Sequence, residues 1–484
     1  MRRSHIDPEA FTQRATLAYR SIMARSTPPP AASPVEPHAS RPRGVSVRVP
    51  IPGPNARRII ERDRRYLMTS TKSAPVVAAS GEGVWITDVD GNRLLDFASG
   101  VGVATVGYSH PEVVRAIRDQ AGRLLHFAGT DFYYENQTLL AERLAKMAPG
   151  SFEKKVFFTN SGTESAEAAL KLVRWQRQKP IVLGLIGAFH GRTMGSLTMT
   201  ASKPVQRARY FPFVGGGQHI PAPYCYRCPY KMTYPSCDLY CAKILKELYF
   251  QTLIPPDDVA AFLAEPVMGE GGYIVPPPRW HSTLKSILDE HGIVLIDDEV
   301  QAGMGRTGEW FAIQHHGVVP PIITMAKALG GGLPAGAMIF RADMDFTTPG
   351  AHSNTFGGNL AAVAASLATI EVIEKEHLLE NARVQGAYLL DRLRELMGRY
   401  DEIGDVRGLG LMTATEFVRD RTTKEPAIAL RDAILEETYK RGLILLPCGR
   451  SSIRYIPPLI VRREEIDEAI EILDASIRAA RARK

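Results

Sequence analysis

An apolar run that ends in acidic residues, IVLIDDEVQ at residues 293–301, precedes a second apolar run that ends in a lysine and glycines, PIITMAKALGGG at residues 321–332. Continuous apolar runs of this length are typical of strands in a sheet that helices cover on both faces. Four further runs of this kind occur between residues 155 and 340, separated by helical or turn-rich stretches. The sequence therefore predicts an α/β fold with a mostly parallel central sheet.

Both flanks of this core carry smaller elements. Residues 83–97 favour two short strands joined at an Asp-Gly turn. Residues 361–373, 380–398 and 463–482 have the apolar spacing of helices, and residues 452–456 favour a short strand. We expect a second, smaller α+β domain.

The net charge excludes some partners once its distribution is considered. The 484 residues carry 59 basic and 52 acidic side chains, hence +7, but residues 1–65 alone hold thirteen Arg and five acids, hence +8. A nearly neutral body argues against nucleic-acid binding. Nine prolines between residues 28 and 54 predict a disordered extension over residues 1–55. Without an apolar run of about 18 residues or a signal peptide, a cytoplasmic protein without membrane contact is expected.

Polar residues follow the predicted strands, where open α/β sheets bind ligands. Ser161 and Glu164 have capping-box spacing, and Gly162 leaves backbone N–H groups open to an anion such as phosphate, although an ordinary helix cap explains them equally. Phe189 and His190 follow the next strand. An aromatic side chain there could stack on a flat ring, and either residue could equally belong to the core.

Two strand ends indicate covalent cofactor chemistry. Asp298 needs a protonated nitrogen or a metal as its partner. Lys327 lies among small and apolar residues, where desolvation lowers an amine's pKa and makes it nucleophilic, as a Schiff base requires. An anion cradle, an aromatic ring, an Asp and a Lys together are what a pyridoxal phosphate site needs.

Four of the five cysteines form a cluster in the sequence, namely Cys225, Cys228, Cys237 and Cys241. CxxC followed by CxxxC is metal-ligand spacing and predicts a structural zinc ion. The alternative is a cysteine-rich surface loop with free thiols or disulfides.

From about residue 52 to its end, the chain resembles the class III (subgroup II) aminotransferases of the fold-type-I pyridoxal phosphate enzymes, which include acetylornithine, ornithine and 4-aminobutyrate aminotransferases. The matching motifs occur in the family's order: DGN at 90–92, GYSHP at 107–111, NSGTE at 160–164, FHGR at 189–192, EPV at 265–267, GEGG at 269–272, DEVQ at 298–301, Lys327 and TFGGN at 355–359. The resemblance implies a large cofactor-binding domain over 112–365, with a cysteine-bearing insert at 222–242, and a smaller domain built from 56–111 and 366–484.

The resemblance also implies roles for individual residues. Lys327 would form the Schiff base and shuttle the proton, and Asp298 would pair with the pyridine nitrogen. The remaining cofactor contacts would come from Ser161, Gly162, Thr163, Phe189, His190, Gln301 and, from the other subunit of a homodimer, Thr355. Arg454 would bind a substrate carboxylate, and Glu270 would pair with it when the donor presents a distal amine.

The implied function is transfer of an amino group from an ω-amino acid of the 4-aminobutyrate, ornithine or acetylornithine type to a 2-oxo acid such as 2-oxoglutarate. The mechanism would be ping-pong through pyridoxamine phosphate. The insert resembles archaeal-type members, some of which are racemases, so an amino-acid racemase on the same scaffold is the alternative. A non-catalytic binding protein of this fold is the third reading.

Overall fold

The computed structural model describes residues 44–483. Its strands, in chain order, are β1 (Ala78–Glu82), β2 (Trp85–Asp88), β3 (Arg93–Asp96), β4 (Lys154–Thr159), β5 (Ile181–Leu185), β6 (Gly217–Ile220), β7 (Val259–Ala264), β8 (Val294–Asp298), β9 (Ile322–Met325), β10 (Gly336–Arg341), β11 (Ile403–Leu409), β12 (Met412–Phe417), β13 (Leu443–Ile444), β14 (Leu446–Cys448) and β15 (Ser452–Tyr455).

The longer helices are α1 (Pro54–Tyr66), α2 (Pro111–Ala121), α3 (Glu135–Met147), α4 (Gly162–Arg177), α5 (Trp280–Glu290), α6 (Leu360–Lys375), α7 (Leu378–Arg399), α8 (Ile428–Lys440) and α9 (Arg463–Arg481). Shorter α-helical turns lie at Ser99–Gly102, Met194–Met199, Pro204–Arg207, Tyr240–Ile244 and Phe250–Thr252. Among the described helices, none has both the length and the apolar character that crossing a bilayer requires.

The central sheet has the order β4-β10-β9-β8-β7-β5-β6. Its strands pair in parallel from β9 to β6, which confirms the predicted α/β core. β10 is the exception, because it pairs antiparallel with both β4 and β9. The sequence analysis missed the edge strand β6, whose Gly-Gln-His-Ile sequence lacks an apolar run. Strands β7 and β8 are buried throughout, as their continuous apolar sequences predict.

Two smaller sheets have the orders β1-β2-β3-β13 and β11-β12-β15-β14. In the first, Leu443 of β13 pairs in parallel with Leu95 of β3, so both ends of the chain contribute to one sheet. This pairing agrees with the predicted smaller α+β domain, which is built from both ends of the chain. The exact boundaries proposed at residues 111 and 365 stay predictions.

The last residues of the predicted N-terminal extension are hydrogen-bonded to the start of β3. Ser46 exchanges backbone hydrogen bonds with Arg93, and the amides of Arg48 and Val49 donate to Oδ1 of Asn92 at 2.8 and 2.9 Å. The boundary at residue 55 is therefore too late, because the non-proline residues of an extended Pro-rich segment can still pair with a strand. Residues 1–43 of the predicted extension lie outside the described residues.

Candidate active site

Asp298 lies at the end of β8, and its carboxylate is held in one orientation. It is 3% exposed, and its Oδ2 lies 2.6 Å from Nδ1 of His190, while its Oδ1 accepts a hydrogen bond from the amide of Val300 at 3.0 Å. His190 follows β5 and is also buried. The two strand ends adjoin because parallel strands bring their carboxyl ends to one edge of the sheet.

Lys327 follows β9 at the same edge. Its backbone is left-handed, with φ at +46°, a conformation that costs free energy in a non-glycine residue and is concentrated at functional sites. Burial lowers the pKa of its amine, and the nearby carboxyl groups of Asp298 and Glu265 partly oppose that shift. A lowered pKa increases the neutral, nucleophilic fraction of the amine.

The predicted anion cradle begins α4. Ser161 is the N-cap, and its hydroxyl accepts from the amide of Glu164 at 3.4 Å. The Glu164 carboxylate turns back to the amide of Asn160 at 2.6 Å, one residue before the position that a standard capping box uses. A Cβ at Gly162 would lie 2.7 Å from Val300, so only glycine brings the helix start this close to the Asp298 strand end.

Thr163 also faces this edge. Its hydroxyl lies 2.7 Å from the hydroxyls of both Thr193 and Ser196, which follow the FHGR motif. Phe189 is half-buried, and the guanidinium of Arg192 lies 5.5 Å from its ring centre. The predicted anion cradle and Phe189 therefore belong to one connected set of loops.

Glu265 is a site residue for which the sequence reasoning gave no role. Its carboxylate accepts from the amides of Phe189 and Gly269 at 2.9 and 2.8 Å, so it ties the aromatic loop to the loop that carries Glu270. Burial raises its pKa to about 7. It directly follows β7, so the strand-end placement that marked Asp298 could also have marked Glu265.

Arg454 and Glu270 come together as the resemblance implies. Nη1 of Arg454 lies 3.2 Å from Oε2 of Glu270, yet its Nη1 and Nε have no hydrogen-bond partner among the described residues. Lys203, which the sequence analysis missed, lies 2.5 Å from Oε1 of Glu270. No local motif marks Lys203, because its partner is 67 residues away in the chain.

Thr355 is exposed, in a loop beside Phe356, which is 57% exposed. The predicted role of Thr355 concerns a second subunit, so its contact with the cofactor stays a prediction. Gln301 lies against the loop of Glu270, since a Cβ at Gly269 would be 3.0 Å from its Cδ. The Gln301 side-chain oxygen is buried without a hydrogen-bond partner in the described part of the chain.

Among the described residues, the structure shows no metal site at the cysteine cluster, so the zinc ion stays a prediction. Cys225, Cys228, Cys237 and Cys241 line one small cavity as free thiols. Within residues 44–483, no group of three or more His, Cys, Asp or Glu side chains has an arrangement that could hold a metal ion.

Residues 66–477 match the aminotransferase class-III family, and this stretch contains every strand-end residue of the site. The chain belongs to the class III aminotransferases. This aminotransferase is 39% identical to a leucine/methionine racemase of Thermococcus litoralis, over 87% of this chain and 95% of that protein. It is 38% identical to a probable 4-aminobutyrate aminotransferase of Bacillus subtilis, over 83% of this chain and 93% of that one.

Among solved structures, an amine transaminase from an uncultivated Pseudomonas species, in its PLP-bound form, superposes on this aminotransferase with a TM-score of 0.80. The identity is 32%, over 86% of this chain and 98% of that one. The described residues fit pyridoxal phosphate. Gly162 lets the start of α4 approach Val300 closely, Gln301 has a buried oxygen without a hydrogen-bond partner in the described residues, and Lys327 is a half-buried lysine whose pKa Asp298 influences. Pyridoxal phosphate is thus the cofactor of this aminotransferase.

Proposed function

We propose that this aminotransferase moves an amino group from an ω-amino acid of the 4-aminobutyrate, ornithine or acetylornithine type to a 2-oxo acid such as 2-oxoglutarate, by a ping-pong mechanism. The observation that carries the proposal is Arg454, a buried guanidinium that forms an ion pair with Glu270 at 3.2 Å but whose Nη1 and Nε form no hydrogen bond with the described residues. Such a group can exchange an internal carboxylate for that of a substrate. A cytoplasmic location stays a prediction from the sequence.

Bound pyridoxal phosphate supplies an electron sink that stabilises negative charge at the carbon bearing the amino group. Lys327 would hold the cofactor and then carry the proton to and from that carbon. Asp298 would keep the ring nitrogen protonated, and His190 would fix the orientation of its carboxylate. Ser161, Gly162 and Thr163 would bind the phosphate at the start of α4, where the helix dipole favours negative charge.

Glu270 would have two partners of like charge, and this arrangement suits two kinds of substrate. With an ω-amine in the site, Glu270 would keep its ion pair with Arg454. With an α-carboxylate in the site, Arg454 binds that carboxylate bidentately, while Glu270 keeps Lys203, 2.5 Å away, as its counter-charge. Glu270 is half-buried, so the loss of its only cation would destabilise it, and Lys203 avoids that cost.

A homodimer is part of the proposal. The exposed apolar side chains of Leu125, Phe127, Phe132 and Tyr133 lie near one another in the sequence, and the ring of His126 lies 5.0 Å from that of Phe356. Exposed apolar patches of this kind mark interaction sites. A second copy that covered this patch would be next to Thr355, the residue whose predicted role requires a partner subunit.

Amino-acid racemisation is the second candidate, and the 39% identity to a racemase favours it. Lys327 could serve either reaction, since a racemase also moves a proton at the carbon that bears the amino group. The test is a panel of 4-aminobutyrate, ornithine, acetylornithine, leucine and alanine. Each is added to the holoenzyme with and without 2-oxoglutarate.

Transamination predicts that an ω-amino donor changes the cofactor absorbance and that 2-oxoglutarate restores it. Racemisation predicts loss of optical purity in a single amino acid without any oxo acid, as chiral chromatography would show. If no donor changes the absorbance and every amino acid keeps its configuration, both candidates are wrong. Arg454→Lys is the matched variant, because it keeps the charge but loses the bidentate geometry, and it should raise the KM for 2-oxoglutarate about tenfold.

A further inference from the structure

Two side chains of the cysteine-bearing insert (residues 222–242) hydrogen-bond to the buried carboxylate of Glu416 on strand β12. The hydroxyl of Tyr224 donates to Oε2 of Glu416, and Nε of Arg227 donates to Oε1 of the same side chain. Tyr224 and Arg227 each precede a cysteine of the CxxC pair. The insert therefore contacts β12 through the residues that directly precede Cys225 and Cys228.

Glu416 also forms an ion pair with Arg407. The Glu416 side chain is 3% exposed, and its Oε2 lies 2.9 Å from Nη2 of Arg407 on the neighbouring strand β11. Burial alone would raise the pKa of Glu416, but Arg407, Tyr224 and Arg227 bring it below the ordinary value. The carboxylate is thus ionised and fully bound, so its position is fixed.

Arg407 contacts both chain segments that carry the substrate pair. Its Nε and Nη2 donate to the carbonyl of Gly272 at 2.9 and 2.6 Å, and Nη2 also donates to the hydroxyl of Ser452 at 3.0 Å. Gly272 is two residues from Glu270, and Ser452 is two residues from Arg454. One guanidinium therefore sets the distance between the two segments.

The strand register supports the same connection. Arg407 on β11 and Arg454 on β15 both lie opposite Ala414 of β12, so the two arginines share a row across the sheet. At Gly272, where φ is +131°, a Cβ would lie 3.1 Å from Nη2 of Arg407. The arginine therefore packs directly on the backbone of the loop.

We propose that Glu416 and Arg407 are positioning residues, through which the insert sets the geometry of the Glu270–Arg454 pair and hence the affinity of the site for a substrate carboxylate. This inference rests on the proposed role of Arg454 in binding a carboxylate. It assigns a function to the insert that requires neither a metal nor a disulfide. Displacements of about 1 Å at a bidentate site are enough to weaken binding and turnover greatly.

The experiment compares Glu416→Gln with the wild-type holoenzyme. Glutarate, a dicarboxylate without a reacting group, is titrated calorimetrically, and the KM and kcat for 2-oxoglutarate are measured separately. We expect Glu416→Gln to weaken glutarate binding and to raise KM by about tenfold, with kcat changed less than about twofold. Tyr224→Phe removes one hydroxyl from the insert side and should weaken glutarate binding by about threefold.

Lys424→Met is the matched control, since Nζ of Lys424 donates to the carbonyl of Tyr226 at 2.8 Å and so holds the insert without touching Glu416. It should leave the glutarate affinity and the KM unchanged. The inference is overturned if Glu416→Gln and Tyr224→Phe lower only the melting temperature, or if Lys424→Met weakens glutarate binding as much as they do. Should Glu416→Gln fail to fold, Tyr224→Phe alone decides.

The two proposals can fail separately. If the wild-type protein transaminates no donor, yet binds glutarate more tightly than Glu416→Gln does, the proposed reaction is wrong and the positioning role stands. If the wild-type protein transaminates and both variants match it in KM and glutarate affinity, the positioning role is wrong and the reaction stands.

Discussion

Buried acids have raised pKa values at the carboxyl edge of the central sheet, whereas Glu416 in the sheet β11-β12-β15-β14 has a lowered pKa. At the central edge, burial raises the pKa of Glu265 to about 7 and also raises the pKa of Glu299. In the small sheet, both oxygens of Glu416 accept hydrogen bonds and its pKa is lowered. In the first region burial outweighs the contacts that favour the ionised acid, whereas in the second Arg407, Tyr224 and Arg227 outweigh burial.

The strongest test of this contrast is Lys327→Ala at the central edge. We expect turnover to fall about a thousandfold or more, because in the proposed mechanism the Lys327 amine both holds the cofactor and moves the proton. The absorbance of the lysine-bound cofactor should disappear, while glutarate binding through the small sheet should persist. Lys146→Ala, at a lysine that is 73% exposed, is the control. Turnover close to wild type in Lys327→Ala would contradict the site assignment.

A smaller effect is expected for Asp298→Asn, which keeps the shape of the side chain and removes its charge. We expect kcat to fall about a hundredfold, since a neutral amide cannot hold a ring nitrogen protonated. Asp345→Asn is the control, because Asp345 pairs with Lys155 at the surface, 2.6 Å away. Equal kcat values for the two variants would remove Asp298 from the catalytic set.

The smallest expected effect is a change in the pH dependence of thermal stability. The raised pKa of Glu265 means that its contribution to stability is complete below the ordinary pKa of 4.5 and is lost as the pH rises through about 7. The lowered pKa of Glu416 means that its contribution is present above 4.5 and is lost as the pH falls. Glu265→Gln should therefore flatten the fall in melting temperature between pH 5 and 7.5, and Glu416→Gln the fall below pH 4.5.

Calorimetric melting curves from pH 3.5 to 8 would measure both slopes. The wild-type curve is the common reference, and each variant serves as the control for the other region. If both variants flatten the same side of the curve, the two regions do not differ in the way their acids are held.

The central sheet was predictable because each of its long strands is a continuous apolar run, and the polar groups at the strand ends follow from that placement. Asp298, Lys327 and Ser161 could be found in this way. Strand β6 could not, since Gly217 to His219 are polar or small and only its position at the sheet edge makes it a strand.

Residues that act through distant partners were beyond sequence reasoning. Lys203 meets Glu270 across 67 positions, and Arg227 meets Glu416 across 189. The spacing of the cysteines in CxxC and CxxxC indicated a metal site. The neighbouring residues Tyr224 and Arg227 instead form hydrogen bonds with Glu416, which the spacing did not indicate. Local spacing identifies ligand types but not which side chains the fold brings together.

The parallel pairing of β3 with β13 has a consequence for synthesis on the ribosome. Leu95 emerges roughly 350 residues before its partner Leu443. At about 5–20 residues per second, β3 waits roughly 20–70 s for that edge to be covered. Truncated chains that end before residue 443 would therefore expose a buried strand, and chaperones that protect nascent sheet edges should associate with them.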